Sequence, residues 1–451
     1  MSYPIRKRHA LVAGLSLATA VVANAQTAGD LPKVTFEKFE LPNGLRVILS
    51  VDKSAPVVAT FVHYHVGSKN ERSDRTGFAH FFEHLMFEGT KNIPRHTIDK
   101  IVQSAGGRLN AFTSFDETGY QIMLPSNQLK LALWLESERM LHAQVEEIGV
   151  ETQRSVVKEE RKQRYDNTPY GSILENLALY AGEGTPYAWT PIGSTQYIDQ
   201  ATIEEFRDFY KTYYLPNNAV LAVVGDIDLA RTRQLVTEYF GDIPRGKDVV
   251  RPSFTLPLGT TEKTVEIRED NTPLPALLYA YRTPKRGEKD AYAMEVLAAI
   301  LATGNSSRLY QNMIDTKQLA VAVQALSLDL ENGGLLGLFA VSHPMVTMEQ
   351  LGEEFNKEIL NVQANGVTEE ELQKALNQIE TQFARRFDDA LDKAQALASY
   401  ETFYNDPTLI NTEIERYMTL TREDIQRAAQ KYLVPGNRVV LKYFPASRGG
   451  E

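Results

Sequence analysis

Cysteine is absent from all 451 residues of this chain. Disulfides, thiolate metal sites and cysteine catalysis are thereby excluded, and any metal has to be held by histidine and carboxylate. An excess of positive charge is also missing: 48 Lys and Arg stand against 58 Asp and Glu, a net charge of -10. Three of the basic residues, Arg6, Lys7 and Arg8, lie in the first 25 positions, which hold no acid, so the rest balances at -13. A body that acidic is a poor partner for nucleic acid or for anionic membrane surfaces. With 43% hydrophobic, 24% charged and 9% aromatic residues, the composition is neither disordered nor of low complexity. The length suits about two to three domains.

Long apolar runs are missing beyond the start of the chain. The one present, Ala10 to Val22, follows Arg6-Lys7-Arg8 and precedes Ala23-Asn24-Ala25. Basic head, apolar run and A-x-A site make the pattern of a cleaved secretory signal over 1–25. The run falls short of the ~20 residues needed to span a bilayer. The expectation is an exported, periplasmic and possibly secreted protein, with no membrane span in the mature chain.

Two segments echo each other. Thr202-Ile203-Glu204-Glu205 leads through a helical stretch to Leu215-Pro216-Asn217-Asn218 and the apolar run Ala219 to Val224. Thr421-Arg422-Glu423-Asp424 leads likewise to Val434-Pro435-Gly436-Asn437 and a run from Val439, with an offset of 219 residues. Each Thr is a candidate N-cap with acids two and three residues on, and each Pro turns the chain into a strand. The expected architecture is α+β: two homologous α/β units in tandem, at 26–243 and 259–451. The Pro- and Gly-punctuated stretch 244–258 reads as their linker. Within the first unit, helices are expected over 76–87, 97–104, 127–142 and 150–164, with strands over 44–49 and 57–65.

The chemistry concentrates in His80-Phe81-Phe82-Glu83-His84. Histidines four apart share one helix face, where both imidazoles can reach one ion. Glu83 sits beside that face, positioned to take a proton from water, and the arrangement is the H-x-x-E-H pattern of inverted zinc proteases. A third ligand is required, leaving a fourth position open. The helix over 150–164 offers Glu159 and Glu160. Adjacent residues differ by about 100° around a helix, so only one can point at the ion, and spacing alone does not choose. His63 and His65 share a strand face but read as ordinary strand residues, and Leu129, Leu133 and Met140 read as a core stripe.

The sequence resembles the pitrilysin family of zinc metallopeptidases, which includes insulysin and the β subunit of mitochondrial processing peptidase. The anchors are Asn43-Gly44-Leu45, Gly67-Ser68, Gly77-Phe78-Ala79 before His80, Glu88-Gly89-Thr90, Asn110-Ala111-Phe112-Thr113 and Val156-Val157-Lys158-Glu159-Glu160. The resemblance implies one zinc per chain, with His80, His84 and Glu160 as ligands and Glu83 as general base. Glu160 lies 76 residues past His84 and matches the family's last Glu in this helix. Seven residues earlier, where some relatives carry an acid, stands Gln153. The strand containing Asn110, Ala111 and Phe112 matches an exposed edge to which substrate adds as a further strand.

The second half has no H-x-x-E-H. Relatives carry an Arg and a Tyr seven apart after a Ser-Ser-Arg-Leu run, reaching the substrate across a closed chamber. Here the run is Ser306-Ser307-Arg308-Leu309, and the matching positions hold Ile314 and Val321. Arg308 reads as a salt-bridge residue instead. The expectation is therefore a peptidase acting on short or unfolded peptides as the metal-bearing half of a clamshell. A homologous non-metal partner would supply the Arg/Tyr pair in a heterodimer. The alternative is a non-catalytic assembly or chaperone-like subunit of the same fold.

Overall fold

Two mixed sheets organise the chain. In the computed structural model, residues 33–446 are described; the expected signal, 1–25, and the outer ends of both expected units lie outside them. The first sheet comprises β1 (Glu37–Glu40), β2 (Arg46–Val51), β3 (Val57–Tyr64), β4 (Arg108–Thr113), β5 (Thr118–Pro125) and β6 (Ala219–Gly225), in the order β1-β2-β6-β3-β5-β4. The second comprises β7 (Lys263–Glu269), β8 (Ala276–Thr283), β9 (Ala320–Leu328), β10 (Gly334–Ser342) and β11 (Arg438–Pro445), in the order β7-β11-β8-β10-β9. β2 runs parallel to β6, and β7 parallel to β11; every other pairing is antiparallel.

The central strands are apolar on both faces because both faces are covered. Along β3, Val58, Val62 and Tyr64 point into a core shared with helices α1 (Phe78–Leu85), α2 (Ile98–Ser104), α3 (Leu129–His142) and α4 (Glu147–Arg161). Ala59 and Phe61 alternate to the other face and meet Ala394, Leu397 and Ala398 of the helix Ala390–Tyr404. That helix comes from the second half of the chain. The first half reciprocates: Ile173, Leu177 and Ala181 of α5 (Ile173–Ala181) pack on Leu278, Ala280 and Phe339 of the second sheet. Each sheet is thus closed by a helix from the other half.

The repeat is visible in detail. Thr202 and Thr421 each accept from the backbone N–H three residues on, completing capping boxes with Glu205 and Asp424. Asn218 donates to the Tyr213 carbonyl and Asn437 to the Tyr432 carbonyl, both at 2.8 Å. Between Phe240 and Lys263 the chain has neither helix nor strand, and Leu256 pins this stretch to the second core. Leu129, Leu133 and Met140 are buried.

Two of the expected helices differ from their expected limits at both ends, while those over 97–104 and 127–142 begin slightly later, at Ile98 and Leu129. The one expected over 76–87 spans Phe78–Leu85, because Gly77 takes a left-handed φ of +98°. A Cβ there would meet the Ile192 carbonyl oxygen at 3.1 Å. The one expected over 150–164 starts earlier, at Glu147, and after Arg161 widens into a π-turn over Lys162–Asp166.

Candidate metal centre

Helix α1 is fixed before any metal is considered. The buried carboxylate of Glu71 accepts from the Gly77 N–H at 2.9 Å and the Ala79 N–H at 2.8 Å, capping the first turn. Burial pushes the Glu71 carboxyl up to about 8, against the pull of those N–H donors. Beneath the helix lies an aromatic floor, with Phe78 and Phe81 stacked on Phe206 at 4.7 and 4.5 Å between centroids. The opposite side carries His80, Glu83 and His84.

The two imidazoles face each other across one helical turn, with Nε2 atoms 3.3 Å apart and rings nearly perpendicular. Oε2 of Glu160 stands 3.5 Å from His80 Nε2 and 3.1 Å from His84 Nε2. Among the described residues these three form the one group of side chains so converged. Ligands about 2.0–2.1 Å from a tetrahedral ion lie about 3.3 Å from one another. All three separations fall close to that edge, so the donor set fits a zinc-sized ion with a vertex to spare. The chemistry of the set, two imidazole nitrogens and one carboxylate, agrees. The hydrogen bonds from His80 and then His84 hold the Glu160 carboxyl well below the usual carboxylate range.

Glu160 and Glu159 are separated by their surroundings. Glu160 is only 17% exposed, whereas Glu159 is 58% exposed and touches Lys162 and Gln163. The other oxygen of Glu160 meets Arg164 Nη1 at 3.0 Å. Gln153, two helical turns before Glu160, donates to Glu88 at 2.6 Å, and Arg95 bridges Glu88 and Thr152. Because Glu88 follows α1 directly, these contacts set the register of α4 against the histidine helix.

A cavity of about 550 Å³ opens at the three groups, lined also by Glu83, Asp99, Arg164 and the strand Leu109–Thr113. Among the described residues β4 is the edge of its sheet, paired only with β5; Asn110 is exposed, Ala111 packs toward the α1 core and Phe112 toward the other face.

Other residues singled out in the sequence lie elsewhere. His63 Nε2 sits 3.0 Å from Glu117 and His65 Nε2 2.7 Å from Glu331, each paired with one carboxylate among the described residues. Arg308 makes two bonds to Glu371, at 2.6 and 2.7 Å. Ile314 lies in the turn Gln311–Thr316 and Val321 on the edge strand β9. Sequence reasoning missed Glu71 and Arg164. The signal for Arg164 was its spacing of four from Glu160 on one helix.

Comparison with known proteins agrees with the fold. The family model described as Insulinase (Peptidase family M16) matches residues 46–188, and that described as Peptidase M16 inactive domain matches residues 200–379. Zinc protease PqqE of Helicobacter pylori is 31% identical over 424 residues, covering 93% of this chain and 95% of that one. A probable mitochondrial-processing peptidase subunit beta of Arabidopsis thaliana is 24% identical, covering 87% of this chain and 75% of its own length. The crystal structure of a protease from Helicobacter pylori superposes with a TM-score of 0.86 at 29% identity, over 91% of this chain and all of that one. The first half of the periplasmic protease PqqL from Escherichia coli gives 0.73 at 22% identity, over 92% of this chain and 93% of that one, a likeness of fold. The chain belongs to the M16, or pitrilysin-type, family of peptidases. It carries two M16 domains in tandem.

Proposed function

We propose that this chain is a zinc-dependent endopeptidase that hydrolyses short or unfolded peptides, holding one zinc through His80, His84 and Glu160. The observation that carries the reading is the near-equal spacing of their three donor atoms, at 3.3, 3.5 and 3.1 Å. When bound, zinc polarises a peptide carbonyl and makes hydroxide available near neutral pH. Glu83, lining the same cavity, takes the proton from the attacking water and passes it to the leaving amine nitrogen. The free edge of β4 pairs with the substrate main chain along Asn110, Ala111 and Phe112, so affinity comes largely from backbone hydrogen bonds. The naming of relatives as zinc proteases supports the activity.

The side chains of Ile314 and Val321 cannot donate hydrogen bonds, so the proposal includes a homologous non-metal partner supplying an Arg/Tyr pair from across the chamber. Donors aimed at a developing oxyanion are worth about 2.7–4 kcal/mol, and the chain alone should be correspondingly slow. We further propose export to the periplasm through the 1–25 signal, and unit boundaries at 26–243 and 259–451 around the 244–258 linker.

The test is zinc content and peptide hydrolysis, measured with and without the co-expressed product of a neighbouring homologous reading frame. One zinc per chain and hydrolysis stimulated by the partner are expected. Full activity of the single chain would remove the heterodimer, and a metal-free chain would remove the enzyme.

A further inference from the structure

The helix bearing Glu160 does not continue as an α-helix. It is α-helical to Arg161 and then opens into the π-turn Lys162–Asp166, a distortion that is rare and recurs at functional sites. Arg164 sits in the middle of this turn. Its guanidinium lines the same cavity as His80, Glu83, His84 and the strand Leu109–Thr113. The side chain is 72% exposed, and among the described residues its one polar contact is Nη1 to Oε1 of Glu160 at 3.0 Å. The rest of its planar fork has no protein partner among the described residues.

The neighbouring cations are used otherwise. Arg161 is bonded to both oxygens of Glu175 and to the Gly193 carbonyl, Lys158 to both oxygens of Asp199, and Lys162 lies 3.8 Å from Glu159. Arg164 is therefore the one permanently cationic side chain lining the cavity among the described residues. No cation comes from Ile314 or Val321. Glu83 and Asp99 line the same space, so its remaining side-chain charge is acidic, and Arg164 is the one side chain there, apart from a bound metal, that can receive a substrate carboxylate among the described residues. A guanidinium binds a carboxylate through two parallel N–H···O bonds, which lysine cannot reproduce.

We propose that Arg164 is a specificity-determining residue: it receives an aspartate or glutamate side chain flanking the scissile bond, so that the site favours acidic peptides. The inference rests on the peptidase reading and names its substrate class. One edge of the fork stays on Oε1 of Glu160, and the other is presented to the peptide laid along β4.

The test uses end-capped peptides matched except for Asp against Asn at the residues flanking the cleaved bond. Binding is read by fluorescence anisotropy on the zinc-loaded chain carrying Glu83→Gln, and kcat/KM on the active chain. Each is measured with Arg164 intact, with Arg164→Gln and with Arg164→Lys, alongside zinc content and thermal melting. With Arg164 intact, the Asp peptide is expected to be favoured about tenfold, the scale of one charge-assisted hydrogen bond. Arg164→Gln should bring the ratio to about one and Arg164→Lys to an intermediate value, all with unchanged zinc and melting.

An equal ratio in the intact chain and Arg164→Gln would overturn the inference. So would loss of zinc in Arg164→Gln, which would make Arg164 a support for Glu160 alone. An Arg164-dependent Asp preference in binding without any hydrolysis would sink the peptidase reading and leave Arg164 as an acidic-peptide binding residue only. Hydrolysis indifferent to the carboxylate would do the reverse.

Discussion

Five strands of each sheet correspond, with β2, β6, β3, β5 and β4 of the first answering to β7, β11, β8, β10 and β9 of the second, and β1 is an addition to the first alone. The helices attached to these strands differ. After β3 comes α1 with His80, Glu83 and His84; after β8 comes the helix Lys289–Ala302, which buries Ala293, Val296, Leu297 and Ile300. The helix bearing Glu160 has its counterpart in Glu369–Arg385, which buries Leu372, Leu376, Ile379 and Phe383. Both pairs of helices bury an apolar face, but among the described residues only α1 and α4 also bring imidazoles and a carboxylate together at a cavity. Fold repetition therefore carries no repetition of function, and the second half serves the first by covering its sheet with Ala390–Tyr404.

The sharpest way to break this contrast is Glu83→Gln. It should lower kcat/KM by about 10²–10⁴-fold with zinc content unchanged, as loss of a general base does. Activity near that of the unaltered chain, in a peptide assay beside metal analysis, would separate the helix from the chemistry. Next comes the pair Glu159→Ala and Glu160→Ala: only the second should lose the zinc, since Glu159 points to solvent.

The hairpin turns of the two sheets offer a subtler contrast. Burial pushes Glu117, in the first, up to about 7. Glu331, in the second, is driven the other way: burial raises it, but His65 and Lys69 together hold it well below the usual range. For Glu117 the folded-state pKa exceeds the unfolded one. Its contribution is fully present below about pH 4.5 and is lost as the pH rises through about 7. For Glu331 the sign reverses, and its contribution is lost as the pH falls below the unfolded value. Denaturant unfolding between pH 5 and 7 should show stability falling by up to about 1.4 kcal/mol per pH unit from Glu117. Glu117→Gln should reduce that slope, leaving the share due to Glu71, and Glu331→Gln should weaken the loss below pH 4.5 instead.

The smallest expected difference lies between Asn218→Ala and Asn437→Ala. Each removes the same bond to the end of the same repeated helix, so each should cost about 1–3 kcal/mol by chemical unfolding. A gap larger than that range would show that the repeat is geometric but not energetic.

Much of this was legible in the residues. The Thr caps and Pro-Asn turns announce the repeat because their partners are local in sequence. His80 and His84 announce a site because four residues make one helical turn. Glu160 needed the family resemblance, since the separation of 76 residues from His84 is bridged only by tertiary packing. Glu71 was not legible: its role as a cap depends on a loop folding back onto Gly77 and Ala79. The π-turn was hidden because Glu159-Glu160-Arg161-Lys162 reads as continuous helix. The exchange of α5 and Ala390–Tyr404 was likewise unreadable, because an apolar helix does not specify which sheet it covers.

The proposed function stands on two imidazoles and one carboxylate, all from the first half, holding a single zinc. X-ray absorption at the zinc edge on the purified chain tests it most directly. One equivalent of zinc is expected in a four-coordinate shell with two imidazole nitrogens, lost on Glu160→Ala. A shell without imidazole scattering, or an identical spectrum after Glu160→Ala, would contradict it.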